Sequence, residues 1–511
     1  MTSKEFFRTK KIAVVGLGPR FEMMADIKFL IKSDADVTVY DMRSEPSCKH
    51  VLAELIEAGL TKYAFGITSV VSTKVNEKLA NEKLALDLAA TDLIILSPDM
   101  PASASFLAKA RETSARTDKP QIEYPQTLFL KLSPPITLIG VLGTCGKTTV
   151  AHMIHSILKK AFEEYKDQGI FYIDPEAAGA LVHLKKVRKG DLVVARITRT
   201  LIPAFEHARV SPHIAVFTTL SSSRNSLMIA GDNSVSLTAT DSTVSAVSRS
   251  HGHPSDHPSS TIFNILEFQT YNNFIIGSDA VIDEIRENPV IEPKAKMLRT
   301  GAGIVPTDWQ VRYRGSYDRD NVALAMRTAE LFKISLETVR AAIEGWKGLK
   351  GRLELVKKVA GIEFYNNTAA STAPATFAAL RTISDNKNVV LIMGGAMTSQ
   401  SGGTSGGASP ETLILGESYI ELIEHIPQYV SSVILIPGSG TMSLRRLIQN
   451  TSANERLPFR YAPTIEDAVR MARESARRGD KVLFSPTFDA YGVEKSRAER
   501  GEKFVKAVRE L

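Results

Sequence analysis

The run Gly143-Thr144-Cys145-Gly146-Lys147-Thr148-Thr149 sets glycines, one lysine and several hydroxyls in the order a polyphosphate chain requires. Glycine lets backbone N–H groups come close to phosphate oxygens, and the start of a following helix adds partial positive charge. Lys147 would meet the terminal phosphates as a point charge, and the Thr148 hydroxyl could ligate Mg²⁺. A strict phosphate-loop pattern has glycine six residues before the lysine, and Val141 stands there instead. The alternative is a Gly-rich turn that contains Gly-Lys-Thr by chance. An apolar strand pattern before it and a helical one after it favour a nucleotide such as ATP.

A second constellation lies near the N-terminus. Gly16 and Gly18 follow an apolar run, KIAVVGLG, and resemble half of a dinucleotide-binding turn. Phe21 occupies the place of the third glycine, which gives NAD little support. Asp41 closes the next strand pattern, DVTVYD, as an acceptor for a ribose or sugar hydroxyl or as an ordinary strand-end turn aspartate. His251, His253 and His257 have a spacing that zinc could use. Their setting is polar, Pro-punctuated and without cysteine, and it reads as a solvated loop. Cys145 reads as a variable side chain pointing off the glycine-rich loop, not as a redox group.

These residues need strands and helices to hold them. Residues 11–41 read as strand, turn, helix (MMADIKFLI) and strand, and DLIILSP at 92–98 as a third strand ending at Pro98. Such alternation predicts a parallel sheet wound by helices. Pro134-Pro135 marks a turn, and ITLIGVL then leads into the glycine-rich loop and a helix, TTVAHMIHSILKKAFEEY. Strands around DLVVARI and HIAVFTTL follow, and NVALAMRTAELF is a helix near the end of this segment. A third segment repeats the alternation through NVVLIMGG, YVSSVILIPG and KVLFSP, and closes on a helix ending FVKAVREL. Residues 221–261 are rich in Ser, Thr, Asp and His and read as a polar excursion. Residues 398–409, TSQSGGTSGGAS, read as a flexible loop. The expectation is three α/β domains: 1–133 Rossmann-like, 134–348 a central phosphate-loop parallel sheet, and 349–511 again Rossmann-like.

A length of 511 residues accommodates three such domains. The two cysteines, Cys48 and Cys145, cannot form a disulfide framework, which suits a reducing cytoplasm. No apolar run reaches the ~18 residues of a membrane span, and the basic N-terminus lacks the apolar core of a signal peptide. The net charge of +7 is scattered, without a Lys/Arg block or interleaved aromatics. That pattern speaks against nucleic acid and for a phosphorylated small molecule. No feature of the sequence sets an oligomeric state.

Taken together, the motifs resemble the Mur ligase superfamily over nearly the whole chain, and most of all its MurD family. VLGTCGKTT resembles that superfamily's phosphate loop, and KKIAVVGLG with DVTVYD resembles the MurD opening unit that holds a UDP moiety. LSPDMP resembles its Ser-Pro-Gly-Ile-Pro turn, with Asp99 for glycine. Gly315 and Asn321 match its Gly-x-His-Asn-x-x-Asn segment. WKGLKGRLELV keeps Arg352 and Glu354 of its Leu-x-His-Arg-x-Glu turn, with Gly351 for histidine. Ser485, Pro486, Arg500, Gly501 and Phe504 stand at the family's C-terminal spacing. The resemblance implies ATP bound by residues 143–149 with Asn321 and Arg352, and Mg²⁺ at Thr148. It also implies a UDP-linked substrate at Gly16, Gly18, Asp41 and Ser97, and γ-phosphoryl transfer assisted by Lys147 and Thr148 on the way to an amide.

The chain departs from the family where charge matters. Arg196 stands at the position of a Mg²⁺-binding glutamate, and Ser223-Arg224 stand for an Asp-His pair. No lysine occurs at 259–262, where the carbamylated lysine belongs. Asn366-Asn367-Thr368-Ala369-Ala370-Ser371-Thr372 aligns with Asn-Asp-Ser-Lys-Ala-Thr-Asn and loses both charges. Thr398 replaces the lysine that receives the D-glutamate carboxylate. Arg196, Arg199 and Arg224 are then either surface charges or guanidinium forks that meet phosphates in place of a metal. Three functions stay open: a divergent MurD-like ligase, a degenerate nucleotide-binding relative, and a ligase for another substrate.

Overall fold

A computed structural model describes residues 3–18, 21–43, 45–66, 74–98, 100, 105–113, 120–144, 146–163, 167–174, 179–220, 260–288, 291–311, 316–397, 415, 417–450, 457–488, 490 and 497–511. Three sheets organise them. The first comprises β1 (Lys11–Val15), β2 (Asp36–Asp41), β3 (Lys62–Phe65), β4 (Leu93–Leu96) and β5 (Gln121–Glu123) in the order β3-β2-β1-β4-β5. All its pairings are parallel. The third strand in chain order is KYAF, which the sequence reading passed over. DLIILSP supplies the fourth, over Leu93–Leu96 only.

The second sheet comprises β6 (Thr137–Leu142), β7 (Ile170–Ile173), β8 (Leu192–Arg196), β9 (Ile214–Phe217), β10 (Phe274–Gly277) and β11 (Lys296–Arg299). It is wholly parallel, in the order β11-β10-β9-β6-β8-β7. β6 is central, and its residues from Leu138 to Leu142 are buried. A strand covered on both faces reads as an unbroken apolar run, which is why ITLIGVL was legible. β7, β10 and β11 have only four residues each, too short to carry a clear pattern, and went unread.

The third sheet comprises β12 (Glu354–Val359), β13 (Ile362–Asn366), β14 (Val389–Gly394), β15 (Val430–Ile436), β16 (Phe459–Tyr461) and β17 (Lys481–Thr487). Its order is β12-β13-β17-β14-β15-β16, with β12 antiparallel to β13 and the rest parallel. The α/β class expected from the sequence is thus present in three sheets, with an antiparallel edge on the last.

The chain divides into two compact units, one carrying the first two sheets and running to Gly345, the other containing Trp346–Leu511. In the first unit a continuous apolar core takes Val14, Leu30 and Phe129 from the N-terminal layer and Leu138, Val193, Phe205 and Phe217 from the central one. A buried carboxylate also ties these layers. Asp26, on the helix Met24–Ile31, accepts the Leu181 N–H at 2.7 Å. In the second unit, Leu391, Leu435 and Phe488 pack on one face of the sheet, and Ile434, Phe484 and Phe504 on the other. No described helix is long and apolar enough to cross a membrane.

Candidate nucleotide site

β6 ends at Leu142 and the helix Lys147–Ala161 begins five residues later, so the glycine-rich loop spans the C-terminal edge of the central sheet. The helix buries Val150, Met153, Ile154, Ile157 and Leu158, a 3.6-residue stripe that fixes its rotation on the sheet. Lys159 and Lys160 in its last turn complement the negative end of its dipole. At its other end the N-cap is Gly146, left-handed at φ +84°, with no side-chain cap. The first-turn N–H groups therefore lack the usual hydroxyl or carboxylate acceptor at the cap.

The loop is held by its neighbours. Thr144 N–H donates to the Thr219 carbonyl at 2.6 Å, and the Thr218 hydroxyl donates to the Leu142 carbonyl at 3.0 Å. Gly143 has φ +125°, and a Cβ there would overlap Thr218 Oγ1 and come within 2.9 Å of the Thr219 carbonyl oxygen. At Gly146 a Cβ would lie 2.6 Å from Oδ1 of Asn321, on the helix Ser316–Glu330. Asn321, expected from the sequence to bind nucleotide, is thus brought beside the loop from far downstream and is 9 % exposed. The Lys147 ammonium folds over the loop and donates to the Gly143 and Thr144 carbonyls at 2.7 and 2.9 Å. Thr148 and Thr149 occupy the first helical turn and are half-buried. Cys145 lies outside the described residues.

Arg196 ends β8, with its Cα paired to Val141 on β6, two residues before Gly143. It is neither a surface charge nor an open guanidinium fork. Its side chain is buried and turns toward β7, where Nε and Nη2 donate to Oδ1 of Asp174 at 2.9 and 2.7 Å. The Tyr172 hydroxyl donates to the other oxygen, Oδ2, at 3.0 Å. The Tyr172 ring in turn sits 4.1 Å from that of His152 on the loop's own helix. Asp174 and Tyr172 were missed from sequence. The available signal was IFYID, an apolar strand closed by aspartate as in DVTVYD. Arg199 is exposed, and Arg224, Ser223, Gly315, Thr398 and the three histidines at 251–257 lie outside the described residues.

A Mg²⁺ ion beside the loop would need oxygen donors from the protein. Such an ion is usually held by one or two carboxylates together with substrate phosphates and water. Here Thr148 offers a hydroxyl, β8 carries Arg196, and β9 runs on into Thr218 and Thr219. Among the described residues no three His, Cys, Asp or Glu side chains come together. The described side chains at this edge, with Asp174 already paired to Arg196, do not fit a protein-held dication.

At the edge of the first sheet the expected residues also converge. Gly16 and Gly18 take φ +84° and +80°. A Cβ on Gly16 would overlap the hydroxyl of Ser97, which is fully buried after β4. A Cβ on Gly18 would overlap the Glu22 carboxylate, so a side chain of this protein adjoins the space expected to admit phosphates. Asp41 accepts the Leu17 N–H at 2.8 Å. The Arg43 guanidinium reaches both Asp41 oxygens, at 2.9 and 2.8 Å, and also the Gly18 carbonyl at 3.1 Å. Burial alone would raise the Asp41 pKa, but the Arg43 bonds and the Leu17 N–H outweigh it and hold the carboxyl below its ordinary value. Asp41 therefore braces the turn as a paired carboxylate, which matches the strand-end turn aspartate that the sequence offered beside a sugar-hydroxyl acceptor. Arg43, packed over the Phe21 ring at 4.4 Å, is the partner the sequence reading missed.

In the second unit the family-like motifs meet each other. Asn367 Nδ2 donates to Ser485 Oγ at 3.1 Å, and Thr376 Oγ1 lies 2.8 Å from the same hydroxyl. Arg500 is fully buried and donates to the Thr368 and Phe488 carbonyls at 3.2 and 3.1 Å. Asn366 Nδ2 and the Gly351 N–H both reach Glu354 Oε2, at 3.1 and 2.8 Å. Arg352 is exposed on the same turn.

Known proteins share this organisation. The chain is 27% identical over 520 residues to the UDP-N-acetylmuramoylalanine--D-glutamate ligase of Roseiflexus sp. (strain RS-1), covering 98% of each. It is 28% identical over 524 residues to the enzyme of that name from Bdellovibrio bacteriovorus, covering 99% and 98%. Among solved structures, the UDP-N-acetylmuramate-alanine ligase MurC of Thermotoga maritima superposes with a TM-score of 0.52 at 13% identity, over 98% of this chain and 99% of that one. MurF from Acinetobacter baumannii gives 0.50 at 14% identity, over 100% and 93%. Such structural likeness shows the fold. No family model matches the chain.

Proposed function

We propose, for a MurD-like chain of the Mur ligase superfamily, that the loop at 143–149 binds ATP and that the protein is an ATP-dependent amide ligase of divergent type. The observation that carries this reading is the Lys147 ammonium folded over a loop with positive-φ glycines, at the uncapped start of a helix. In such a reaction a substrate carboxylate oxygen attacks the γ-phosphorus, the bond to the β-bridging oxygen breaks, and ADP leaves. An amine then attacks the acyl phosphate, and inorganic phosphate departs as the amide forms. Lys147 would neutralise charge on the transferring group, and the loop N–H groups and Asn321 would position it. We assign Gly16, Gly18 and Ser97 to the cradle of a UDP-linked acid, with Asp41 and Arg43 bracing it, and the cytoplasm as the setting. The substrates proposed by analogy with the named relatives are UDP-N-acetylmuramoyl-L-alanine and D-glutamate.

A second reading, nucleotide binding without amide formation, is favoured by the Arg196–Asp174 pair, which stands where the resemblance places a metal carboxylate. ADP release separates the two. A ligase releases ADP faster with both substrates than with ATP alone, and here the turnover is expected below the ~10 per second typical of enzymes. Binding of ATP without any such stimulation supports the second reading. Loss of ATP binding altogether removes both.

A further inference from the structure

The edge of the central sheet that flanks the glycine-rich loop combines three features. β8, the strand next to β6, ends in a guanidinium two residues short of the level of Gly143. The carboxylate at the end of β7, Asp174, has Oδ1 taken by that guanidinium and Oδ2 by the Tyr172 hydroxyl. On the opposite side β9 continues into Thr218 and Thr219, whose oxygens serve the loop itself. A dication approaching this edge would face a guanidinium and an already neutralised carboxylate. Phosphate charge would be met instead by Lys147 and by the backbone N–H groups of the loop.

We infer that this loop takes its nucleotide as the metal-free anion, and that Arg196, locked on Asp174, is what removes the requirement for a divalent cation. This rests on the proposed nucleotide site and deepens it. The Arg196–Asp174 pair is itself neutral, so a bare polyphosphate does not meet the Asp174 carboxylate as an open charge that a metal would have to screen. A glutamate at this position would do the reverse, repelling the free anion and recruiting the cation complex.

The test is calorimetric titration of the full-length protein with ADP, once with excess MgCl₂ and once with excess EDTA at matched ionic strength. Dissociation constants that differ by less than tenfold support the inference, and tightening of tenfold or more by Mg²⁺ overturns it while leaving the nucleotide site intact. Absence of heat under both conditions overturns the site and the inference together. A double variant, Arg196→Glu with Asp174→Asn, restores the acid and removes its clash with Asp174. It is expected to show at least tenfold weaker ADP binding in EDTA than in Mg²⁺. A variant that melts as the parent does and still binds equally in both overturns the role of Arg196. If it does not fold, the parent titration alone decides.

Discussion

Two nitrogens of Arg196, Nε and Nη2, converge on a single oxygen of Asp174 at 2.9 and 2.7 Å, and both side chains are at most 10% exposed. Removing one member strands the other in a place where water cannot reach it. Arg196→Ala is expected to cost about 3–5 kcal/mol of stability, the usual penalty for breaking a buried ion pair. Replacing both partners, Arg196→Met with Asp174→Leu, should recover most of that loss. Chemical denaturation of the three proteins measures it. Equal midpoints for the parent and Arg196→Ala would show that the pair is solvated in solution.

Lys147→Ala should weaken ATP binding at least tenfold, since the terminal phosphate loses its point-charge partner. Its ammonium also donates to the part-buried Gly143 carbonyl and the exposed Thr144 carbonyl, so the melting temperature should fall only modestly. Calorimetry and a thermal melt together distinguish lost affinity from lost fold. Unchanged affinity would remove Lys147 from the site.

Gly143→Ala places a methyl group against Thr218 Oγ1 and 2.9 Å from a rigid carbonyl, at φ +125°. The loop must move, and the Thr144 N–H bond to Thr219 should break with it. ATP binding is expected to disappear, and amide exchange at Thr144 should accelerate. Full affinity in this variant would mean that the loop adopts another path when loaded.

Asp26 is 2% exposed, and burial lifts its pKa from 3.8 to about 7, against the opposing N–H groups of Leu181 and Ala180. With the folded value above the unfolded one, its contribution to stability is complete below pH 3.8 and is lost as pH rises through about 7. Asp26→Asn keeps an acceptor for Leu181 without the charge. The variant should therefore gain stability relative to the parent between pH 4 and 8, as read from melting temperatures across that range. A constant difference would place the titration of Asp26 outside this window.

Asp41 is the opposite case, because Arg43 and two backbone N–H groups hold its pKa down in spite of burial. Its stabilisation is present above the unfolded value and is lost as pH falls through the lower folded one. Arg43→Met should cost roughly 1–3 kcal/mol at pH 7, the range for a buried charged group that loses a hydrogen-bond partner. The deficit should shrink toward pH 3. Denaturation at both pH values checks this, and an equal deficit at the two would mean that Arg43 acts only through its packing on Phe21.

The sequence alone determined the α/β alternation, the loop at 143–149 and the motif order, because these depend on local pattern. A strand buried on both faces must be apolar, as β6 and β14 are, and a loop that bends through positive φ must use glycine, as at Gly143 and Gly146. Short, half-exposed strands such as KYAF and IFYI carry no such signature, and only sheet pairing reveals them. What each charge does was likewise decided in three dimensions. Arg196 and Asp174 lie 22 positions apart, and Asn321 stands far downstream of Gly146. An arginine at a strand end can face solvent, a phosphate or a carboxylate with the same local sequence around it. Parallel order sets β7 beside β8, and burial then favours pairing of the guanidinium with the aspartate just past the end of that strand.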